Sequence, residues 1–428
     1  MKFISTRAAG DGLGHLASEA IAQGLADDGG LFVPDALPRI DWSQVGADDL
    51  PHIAERFLQP FFVGDPLACE LPAICAEAFN FPLHIKTLED KLSVLELFHG
   101  PTAAFKDFGA RFLAACFARL NDDSDKPLTI LVATSGDTGG AVAAAFHKRP
   151  GILVDVLFPD GQVSPRQAQQ LTCWGDNIRA FCVDGPFDAC QTLVKEAFLS
   201  QELNAKRRLS SANSINLGRL LPQAAYYVWA SLVMRERTGR AASFVVPTGN
   251  LGNGLACVWA KATGAPIEHI HFATNDNRSV PEFFNDGAWR ARASVATLAN
   301  AMDVGNPSNM ERLRALYSDA ELRARFTASF VDDAAIEQQV KHDAMSRDEV
   351  FCPHTATATH AYDHHIKPEF KESDWVVVAT AHPAKFETVV EPLIGRPVAV
   401  PANLQALLDL PSESIQLTPT LSALMTHF

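Results

Sequence analysis

The sequence predicts an α/β fold built on parallel sheets that are covered by helices on both faces. Apolar runs of strand length recur along the chain, and a segment with helical patterning follows each of them. Strands that are buried on both faces are continuously apolar instead of alternating, so this pattern is typical of parallel sheets. Ligands bind beyond the carboxyl ends of such strands, and the residues after each run are therefore the candidates for chemistry.

Six segments of the chain have the apolar pattern of a buried strand. They are TILVATS (129–135), ILVDVLFP (152–159), NIRAFCV (177–183), ASFVVPT (242–248), IEHIHFAT (267–274) and WVVVATAHPAKF (375–386). Residues 1–85 lack this alternation, and amphipathic stretches such as DLPHIAERFLQPFF predict a small, mainly helical N-terminal domain there. We expect the α/β domain, with two lobes, at 86–390, a charged helical insertion at about 305–350, and a C-terminal extension at 391–428.

Composition excludes several classes of protein. Hydrophobic residues make up 47% of the 428 residues and charged residues 20%, which is enough apolar material for a sizeable core. The net charge of −14 argues against a nucleic-acid partner, because an acidic chain repels phosphate backbones. The eight cysteines form no C-x-x-C pair, and neither a signal peptide nor a membrane-length apolar run is visible, so we expect a reduced, cytoplasmic protein.

The segment FHGPTAAFKDFGARF (98–112) places Lys106 among small and apolar residues. Burial disfavours the ammonium form and lowers the pKa of a lysine, and this is what an amine needs to attack an aldehyde and later move protons. On this segment alone, a partly exposed lysine paired with Asp107 is the more common arrangement.

Two glycine-containing loops follow predicted strands and open helices. In ATSGDTGGAV (133–142), exposed backbone N–H groups and the helix dipole suit a carboxylate or a phosphate. In PTGNLGNGLACVWA (247–260), the glycines let the backbone approach a ligand closely. Each loop could also be a plain turn, and neither matches a G-x-G-x-x-G or Walker A motif. Thr380 ends a further strand, where it could face a ring nitrogen or simply cap the next helix.

A metal site is one alternative, since His354, His360, His364 and His365 cluster in CPHTATATHAYDHH. The i, i+4 spacing of His360 and His364 places both rings on one helix face, but no carboxylate or cysteine completes a known ligand pattern. We therefore expect a solvated helix face and no metal, with His354 as a residue that could line the cleft.

Taken together, these segments resemble the fold-type-II pyridoxal phosphate enzymes, which have the tryptophan synthase β-like fold. Within them they resemble the threonine synthase family of the bacterial and fungal type. The resemblance covers nearly the whole chain, and HGPT-x-x-FKDFG together with SANSIN is specific to that family. The motifs that carry it are QGLADDGGLFVP (23–34), HGPTAAFKDFG, TSGDTGG, SANSINLGRLLPQ (211–223), GNLGNG, NAMDVGNPSN (300–309) and TAHPAKF.

The resemblance implies a role for individual residues. Lys106 matches the catalytic Schiff-base lysine, and Thr380 matches the hydroxyl near the pyridine nitrogen. The cofactor-phosphate loop corresponds to Gly249, Asn250, Leu251, Gly252 and Asn253. The substrate is expected to contact Ser135, Gly136, Asp137, Thr138, Asn213, Ser214, Asn216 and Arg219. Asp137 stands where related enzymes have an asparagine on the ring hydroxyl, which leaves that partner open, with Asn213 or Asn216 as candidates.

The implied reaction converts O-phospho-L-homoserine and water to L-threonine and phosphate with pyridoxal 5'-phosphate as cofactor. Arg111, Arg219 and Lys385 are candidate cations for the leaving phosphate. The implied partner is this small molecule, with no nucleic acid or membrane, and the chain is a monomer or a small homo-oligomer. The alternatives are a phospholyase or a serine or threonine dehydratase that releases a 2-oxo acid, and a catalytically silent binding protein with the same fold.

Overall fold

The computed structural model describes residues 1–8, 14–120 and 126–428. The N-terminal region is mainly helical, as predicted, and it also contains a short antiparallel ladder between its two strands. Its elements are β1 (Phe3–Ser5), α1 (Ala17–Gln23), β2 (Phe32–Pro34), α2 (Leu50–Leu58), a 3₁₀ helix (Gln59–Phe62) and α3 (Leu71–Ala78). Helix α2 is amphipathic, and the Asp49 side chain caps it by accepting a hydrogen bond from His52 N.

The next region alternates strands and helices. Its elements are β3 (His84–Glu89), β4 (Leu92–Glu96), α4 (Lys106–Leu120), β5 (Leu128–Ala133), α5 (Asp137–Phe146), β6 (Ile152–Pro159), α6 (Pro165–Thr172), β7 (Ile178–Val183), α7 (Phe187–Leu199), α8 (Gln201–Lys206), β8 (Arg208–Ser211), α9 (Leu217–Leu220), a 3₁₀ helix (Leu221–Gln223) and α10 (Ala224–Thr238). Helix α4 is almost entirely buried and packs against α3, α5 and α9, so it links the N-terminal region to the rest of the fold.

The remainder of the chain continues the alternation. Its elements are β9 (Ala242–Pro247), α11 (Gly252–Ala262), β10 (Ile267–Thr274), α12 (Ser279–Asp286), a 3₁₀ helix (Asn300–Met302), α13 (Met310–Leu316), α14 (Asp319–Arg325), β11 (Thr327–Phe330), α15 (Asp333–Ser346), α16 (Pro353–Ala361), a π-helical turn (Tyr362–Ile366), β12 (Asp374–Ala379), a 3₁₀ helix (Pro383–Phe386), α17 (Glu387–Ile394), α18 (Ala402–Leu408), β13 (Ile415–Leu417) and α19 (Leu421–Met425).

The strands form two larger sheets besides the N-terminal ladder. The first has the order β11-β10-β9-β12-β4-β3 and is parallel except where β3 meets β4. The second has the order β13-β7-β6-β5-β8 and is parallel throughout. Parallel pairing aligns the carboxyl ends of the strands at one edge of each sheet, and the loops that follow β5, β9 and β12 emerge there.

The C-terminal segment crosses from the first sheet to the second. After β12 and α17, strand β13 pairs with β7, with Ile415 opposite Phe181. Gln169 in α6 donates hydrogen bonds to the carbonyls of Leu407 and Leu410, and Arg179 in β7 donates to the His427 carbonyl. The predicted domain boundaries at residues 85 and 390 remain predictions, but the residues after 390 complete the edge of the second sheet.

The structure reproduces the most apolar predicted strands almost to the residue. β6 covers 152–159 and β10 covers 267–274, as predicted. The prediction left out β3, β4, β8, β11 and β13. The segment at about 305–350 is helical, but it also supplies β11 to the first sheet. No helix that the structure describes is long and apolar enough to cross a membrane.

Candidate active site

A partly open cavity lies where the carboxyl ends of both larger sheets meet. Its volume is about 90 Å³, and a wider surface cleft of about 340 Å³ beside Arg149 contains none of the predicted cofactor residues. The cavity is lined by Phe105, Lys106, Asp137, Thr138, Ser214, Arg219, Gln223, Pro247, Thr248, Gly249, Asn250, Gly252, Asn253, Ala301, Met302, His354 and Thr380. Residues that the sequence had singled out in separate motifs are thus brought together.

Lys106 is the first residue of α4, and the backbone before it is attached to the end of β12. Phe105 N donates to the Thr380 carbonyl at 2.8 Å, and Ala104 forms a bridge with Ala381. Burial lowers the pKa of Lys106 to about 8; Asp137 opposes this shift, whereas Arg219 and Lys385 add to it. An ammonium with this pKa releases its proton near neutral pH.

The alternative pairing of Lys106 with Asp107 is absent. The Asp107 carboxylate is buried and accepts hydrogen bonds from Thr102 N and Thr102 Oγ1, at 2.9 and 2.7 Å. Gly100 leaves room for it, since a Cβ there would lie 2.5 Å from Asp107 Oδ2. Asp107 therefore fixes the HGPT loop and leaves the lysine free to face the cavity.

The loop after β9 is held by neutral hydrogen bonds. The Asn250 side chain donates to Ser214 Oγ and accepts from both Ser308 N and Ser308 Oγ, at 2.7–2.9 Å. Leu251 is fully buried, outside the cavity lining, and has a left-handed φ of 60° just before α11. A Cβ on Gly249 would lie 2.5 Å from Met302 Cα, so only glycine fits against that backbone.

Asn253, in the first turn of α11, has an unused donor. Its Oδ1 accepts from the hydroxyls of Tyr226 and Tyr227, at 2.7 and 2.8 Å, which leaves Nδ2 as the donor end of the amide. Nδ2 is buried and has no partner among the described residues. The first N–H groups of α11 also lack intrahelical acceptors, and the helix dipole is positive there. This end of the cavity is therefore built for an anion.

The Thr134 hydroxyl shapes the loop after β5 by accepting backbone hydrogen bonds. Thr134 Oγ1 accepts hydrogen bonds from the backbone of Gly136 and Gly139, and Gly136 has a φ of 134°. This conformation starts α5 at Asp137 and places Thr138 in the cavity lining. Ser135 and Gly136 belong to the same loop but do not line the cavity.

Asp137 forms a buried ion pair with Lys385, which lies in the 3₁₀ helix after β12. The Lys385 Nζ to Asp137 Oδ1 distance is 2.8 Å, and both side chains are buried. Gln167 Nε2 also donates to Asp137 Oδ1. Burial disfavours the carboxylate, but Lys385 and His354 outweigh that effect and lower the pKa of Asp137 to about 2. Lys385, a candidate phosphate ligand in the sequence, is instead committed to Asp137 and to the Thr102 carbonyl.

The SANSIN segment divides into residues that face the cavity and residues that do not. Ser214 and Arg219 line it. Burial lowers the pKa of Arg219 to about 10, and its Nε has no partner among the described residues. A Cβ on Gly109 would clash with the Arg219 carbonyl, so this glycine lets α4 and α9 approach each other and positions Arg219.

Three sequence-based candidates lie elsewhere. Asn216 is buried and caps α9 by accepting from Gly218 N, while its amide donates to the carbonyls of Ile21 and Ser211. Asn213 does not line the cavity. Arg111 donates to the carbonyls of Glu77 and Ala78 and to Asn80 Oδ1, because its side chain extends toward α3. None of the three belongs to the cavity lining.

The histidine cluster and Thr380 differ in their position relative to the cavity. Among the described residues, no group of three or more histidine, cysteine or acidic side chains is arranged to hold a metal ion. His364 and His365 are exposed on the π-helical turn, and the His360 and His364 rings lie 4.2 Å apart. The Thr380 hydroxyl lines the cavity and has no hydrogen-bond partner in the described part of the chain. It is therefore not a helix cap.

The motif NAMDVGNPSN supports the family resemblance, but the sequence predicts no role for the 3₁₀ helix at Asn300–Met302 that it contains. Ala301 and Met302 line the cavity beside His354. The only signal in the sequence was the unusual run of small and polar residues in NAMDVGNPSN, which has no periodicity of its own.

Comparison with known proteins gives three concordant findings. Family models for pyridoxal-phosphate dependent enzymes, for the threonine synthase N terminus and for the threonine synthase C-terminal region match residues 82–381, 2–79 and 355–427. Threonine synthase of Escherichia coli (strain K12) is 39% identical over 412 residues, which is 95% of each chain. Its crystal structure has a TM-score of 0.89, with 37% identity and full coverage of both chains. Pyridoxal-phosphate-bound threonine synthase from Brucella melitensis has a TM-score of 0.91, with 32% identity over 100% of this chain and 98% of that one.

Proposed function

The chain belongs to the threonine synthase family of pyridoxal-phosphate-dependent enzymes, and we propose that it converts O-phospho-L-homoserine and water to L-threonine and phosphate. One observation carries the choice of a doubly anionic substrate. The cavity of Lys106 is lined by the buried Arg219, whose Nε has no partner in the described part of the chain, in addition to the anion-binding end at Asn253. One anion-binding site suffices for the cofactor, so the second is available for a phosphorylated substrate.

The residues present fit pyridoxal phosphate. Asn253 Nδ2, which has no partner among the described residues, and the start of α11 supply donors for its phosphate. A Cβ on Gly252 would make only ordinary contacts, 3.4 Å from Ser214 Cβ and 3.7 Å from Asn309 Nδ2. Lys106 supplies the amine, and Thr380 supplies a free hydroxyl. When bound, the cofactor would act as the electron sink for negative charge that develops on substrate carbons.

Lys106 is the group that would move protons. With a pKa of about 8, its Nζ can both accept and donate a proton near neutral pH, which general acid–base catalysis at neighbouring carbons requires. Asp137 is ionised at this pH but is neutralised by Lys385, so it tunes the charge around Lys106 without taking the proton itself. Thr380 can exchange hydrogen bonds but is a poor acid, and it would leave a bound ring nitrogen unprotonated.

Two parts of the cavity would hold the substrate's anionic groups. The Ser135–Thr138 loop at the start of α5 suits the carboxylate, with Thr138 nearest to the space. Arg219 and Ser214 suit the phosphate, because a guanidinium with a pKa of about 10 stays cationic at neutral pH.

The test is turnover of O-phospho-L-homoserine as sole substrate by the purified holoenzyme, with phosphate and L-threonine measured together. We expect equal amounts of both, and the Lys106→Ala variant should lose activity and the cofactor's borohydride-sensitive visible band. Lys341→Ala, at an exposed position on α15, is the matched control and should behave as wild type. Phosphate accompanied by 2-oxobutyrate would indicate a phospholyase and contradict the proposal, as would the absence of phosphate release.

The proposal also includes a cytoplasmic enzyme without a nucleic-acid or membrane partner, as a monomer or a small homo-oligomer. The eight cysteines support a reducing compartment, since all are free thiols and seven of them are buried.

A further inference from the structure

His354 occupies a place in the cavity that the reaction described above does not use. It lies in the first turn of α16, where Pro353 starts the helix, and its side chain is only 3% exposed. Its ring packs against Phe386, with the ring centroids 4.9 Å apart. The histidine is therefore held rigidly among the same residues that surround Lys106.

The hydrogen bonds of His354 fix its tautomer. Ala301 N donates to Nε2 at 3.1 Å, so Nε2 carries no proton and acts as an acceptor. Burial lowers the pKa of His354 to about 4, and the ring is neutral at physiological pH. The single ring hydrogen is then on Nδ1.

The backbone that donates to Nε2 is itself anchored. Asp303, directly after the 3₁₀ helix at Asn300–Met302, accepts hydrogen bonds from Thr297 Oγ1 and Asn275 Nδ2, both at 2.7 Å. Met302 packs against the backbone of Gly249 on the other side. Ala301 N therefore stays in place, and rotation of the ring would break its hydrogen bond.

The Nδ1 hydrogen has no acceptor in the protein that the structure describes, although Nδ1 is buried. The nearby carboxylate of Asp137 accepts from Lys385 and Gln167 instead. A buried donor left unpaired is energetically costly, because it gives up its hydrogen bonds to water and gains none in return. A donor with no protein partner, in the lining of a ligand cavity, indicates that its partner belongs to the ligand.

We propose that His354 is a ligand-binding residue that donates its Nδ1 hydrogen to an oxygen atom of the molecule bound in the cavity. The inference rests on the proposed function only for the choice of substrate, because oxygen acceptors occur on both pyridoxal phosphate and O-phospho-L-homoserine. His354 and Asp137 both line the cavity. The ionised Asp137 carboxylate can only accept hydrogen bonds, so His354 adds a neutral donor beside it.

Two isosteric substitutions separate the donor from the rest of the ring. The amide of asparagine falls near the Nδ1 position of histidine, so His354→Asn keeps a donor there but loses the acceptor for Ala301 N. The amide of glutamine reaches the Nε2 position, so His354→Gln keeps that acceptor and loses the Nδ1 donor. His360→Gln, six residues further along and outside the cavity lining, is the control.

The experiment measures two quantities for each full-length variant: the dissociation constant for pyridoxal phosphate and the KM for O-phospho-L-homoserine. We expect one of them to rise about tenfold in His354→Gln and to stay within about threefold of wild type in His354→Asn and His360→Gln. A rise in the cofactor constant assigns the oxygen to the cofactor, and a rise in KM alone assigns it to the substrate.

Two results would overturn the inference. If both constants are unchanged in His354→Gln, Nδ1 binds no ligand atom. If the same constant rises equally in His354→Gln and His354→Asn, the ring acts through packing and not through its Nδ1 hydrogen. If the wild type does not turn over O-phospho-L-homoserine, the proposed function fails, and the cofactor measurement alone decides the role of His354.

Discussion

The two glycine-containing loops that border the cavity, one after β9 and one after β5, have the same strand–loop–helix design but different chemistry. The loop after β9 is fixed by neutral amide and hydroxyl groups, and it keeps the Asn253 Nδ2 donor free. The loop after β5 carries Asp137, whose charge is compensated inside the protein by Lys385. The first loop is thus prepared to receive an anion, whereas the second sets the electrostatic environment of Lys106.

The largest predicted effect is the loss of stability on removing the cation that compensates the charge of Asp137. Lys385→Met leaves the buried Asp137 carboxylate without its cation and should lower the free energy of unfolding by about 3–5 kcal/mol, measured by urea denaturation without cofactor. Lys367→Met removes the largely exposed pair with Glu89 and should change it by less than about 1 kcal/mol. The double variant Lys385→Met/Asp137→Asn should recover part of the loss. Equal stability of Lys385→Met and wild type would show that the charge pair is not structural.

The anion-binding role of the loop after β9 can be tested by replacing one donor atom, Asn253 Nδ2. Asn253→Asp keeps an acceptor for the Tyr226 and Tyr227 hydroxyls but replaces the free Nδ2 donor with an oxygen. Its affinity for pyridoxal phosphate should fall about 100-fold, because a hydrogen bond to a charged group is lost and a like charge is added. Affinity for pyridoxal, which lacks the phosphate, should change less than about threefold. An equal loss for both molecules would contradict a phosphate-binding role for this loop.

The smallest predicted effect is the change with pH in the rate of cofactor binding. Because the pKa of Lys106 is lowered to about 8, the neutral amine becomes the main form above that pH. The rate at which pyridoxal phosphate binds the cofactor-free protein should therefore rise about tenfold from pH 7 to pH 9, followed by stopped-flow absorbance. Asp137 raises the pKa of Lys106, so Asp137→Asn should move the midpoint to lower pH. A midpoint that moves upward would show that the loop after β5 does not tune the lysine.

The sequence predicted six of the seven interior strands in the described sheets, because burial on both faces leaves a signature in each strand itself, but it missed β4. β6 and β10 are continuous apolar runs, and their limits were predicted correctly. β8, β11 and β13 are strands of only three or four residues at the sheet edges, and their sequences RLSS, TASF and IQL mix polar and apolar residues. Their pairing depends on neighbours that are distant in sequence, which local patterns cannot show.

For the site, motifs predicted many of the residues that meet in the cavity, but not how their hydrogen bonds and charges are used. Lys106, Asn253, Arg219 and Thr380 line one cavity, as the resemblance implied. Lys385 and Asn216 carry groups suited to a ligand, but the fold commits both to internal partners. Which donors remain free is a property of three-dimensional packing. The unpartnered nitrogen of His354 could therefore not be recognised from the sequence.

The pairing of β13 with β7 has a consequence for biosynthesis. Ile415 lies opposite Phe181, which leaves the ribosome far earlier. Until the later residues emerge, β7 presents an uncovered strand edge to the cell, and such edges invite pairing with other chains. The sheet that carries Asp137 is therefore completed late during translation.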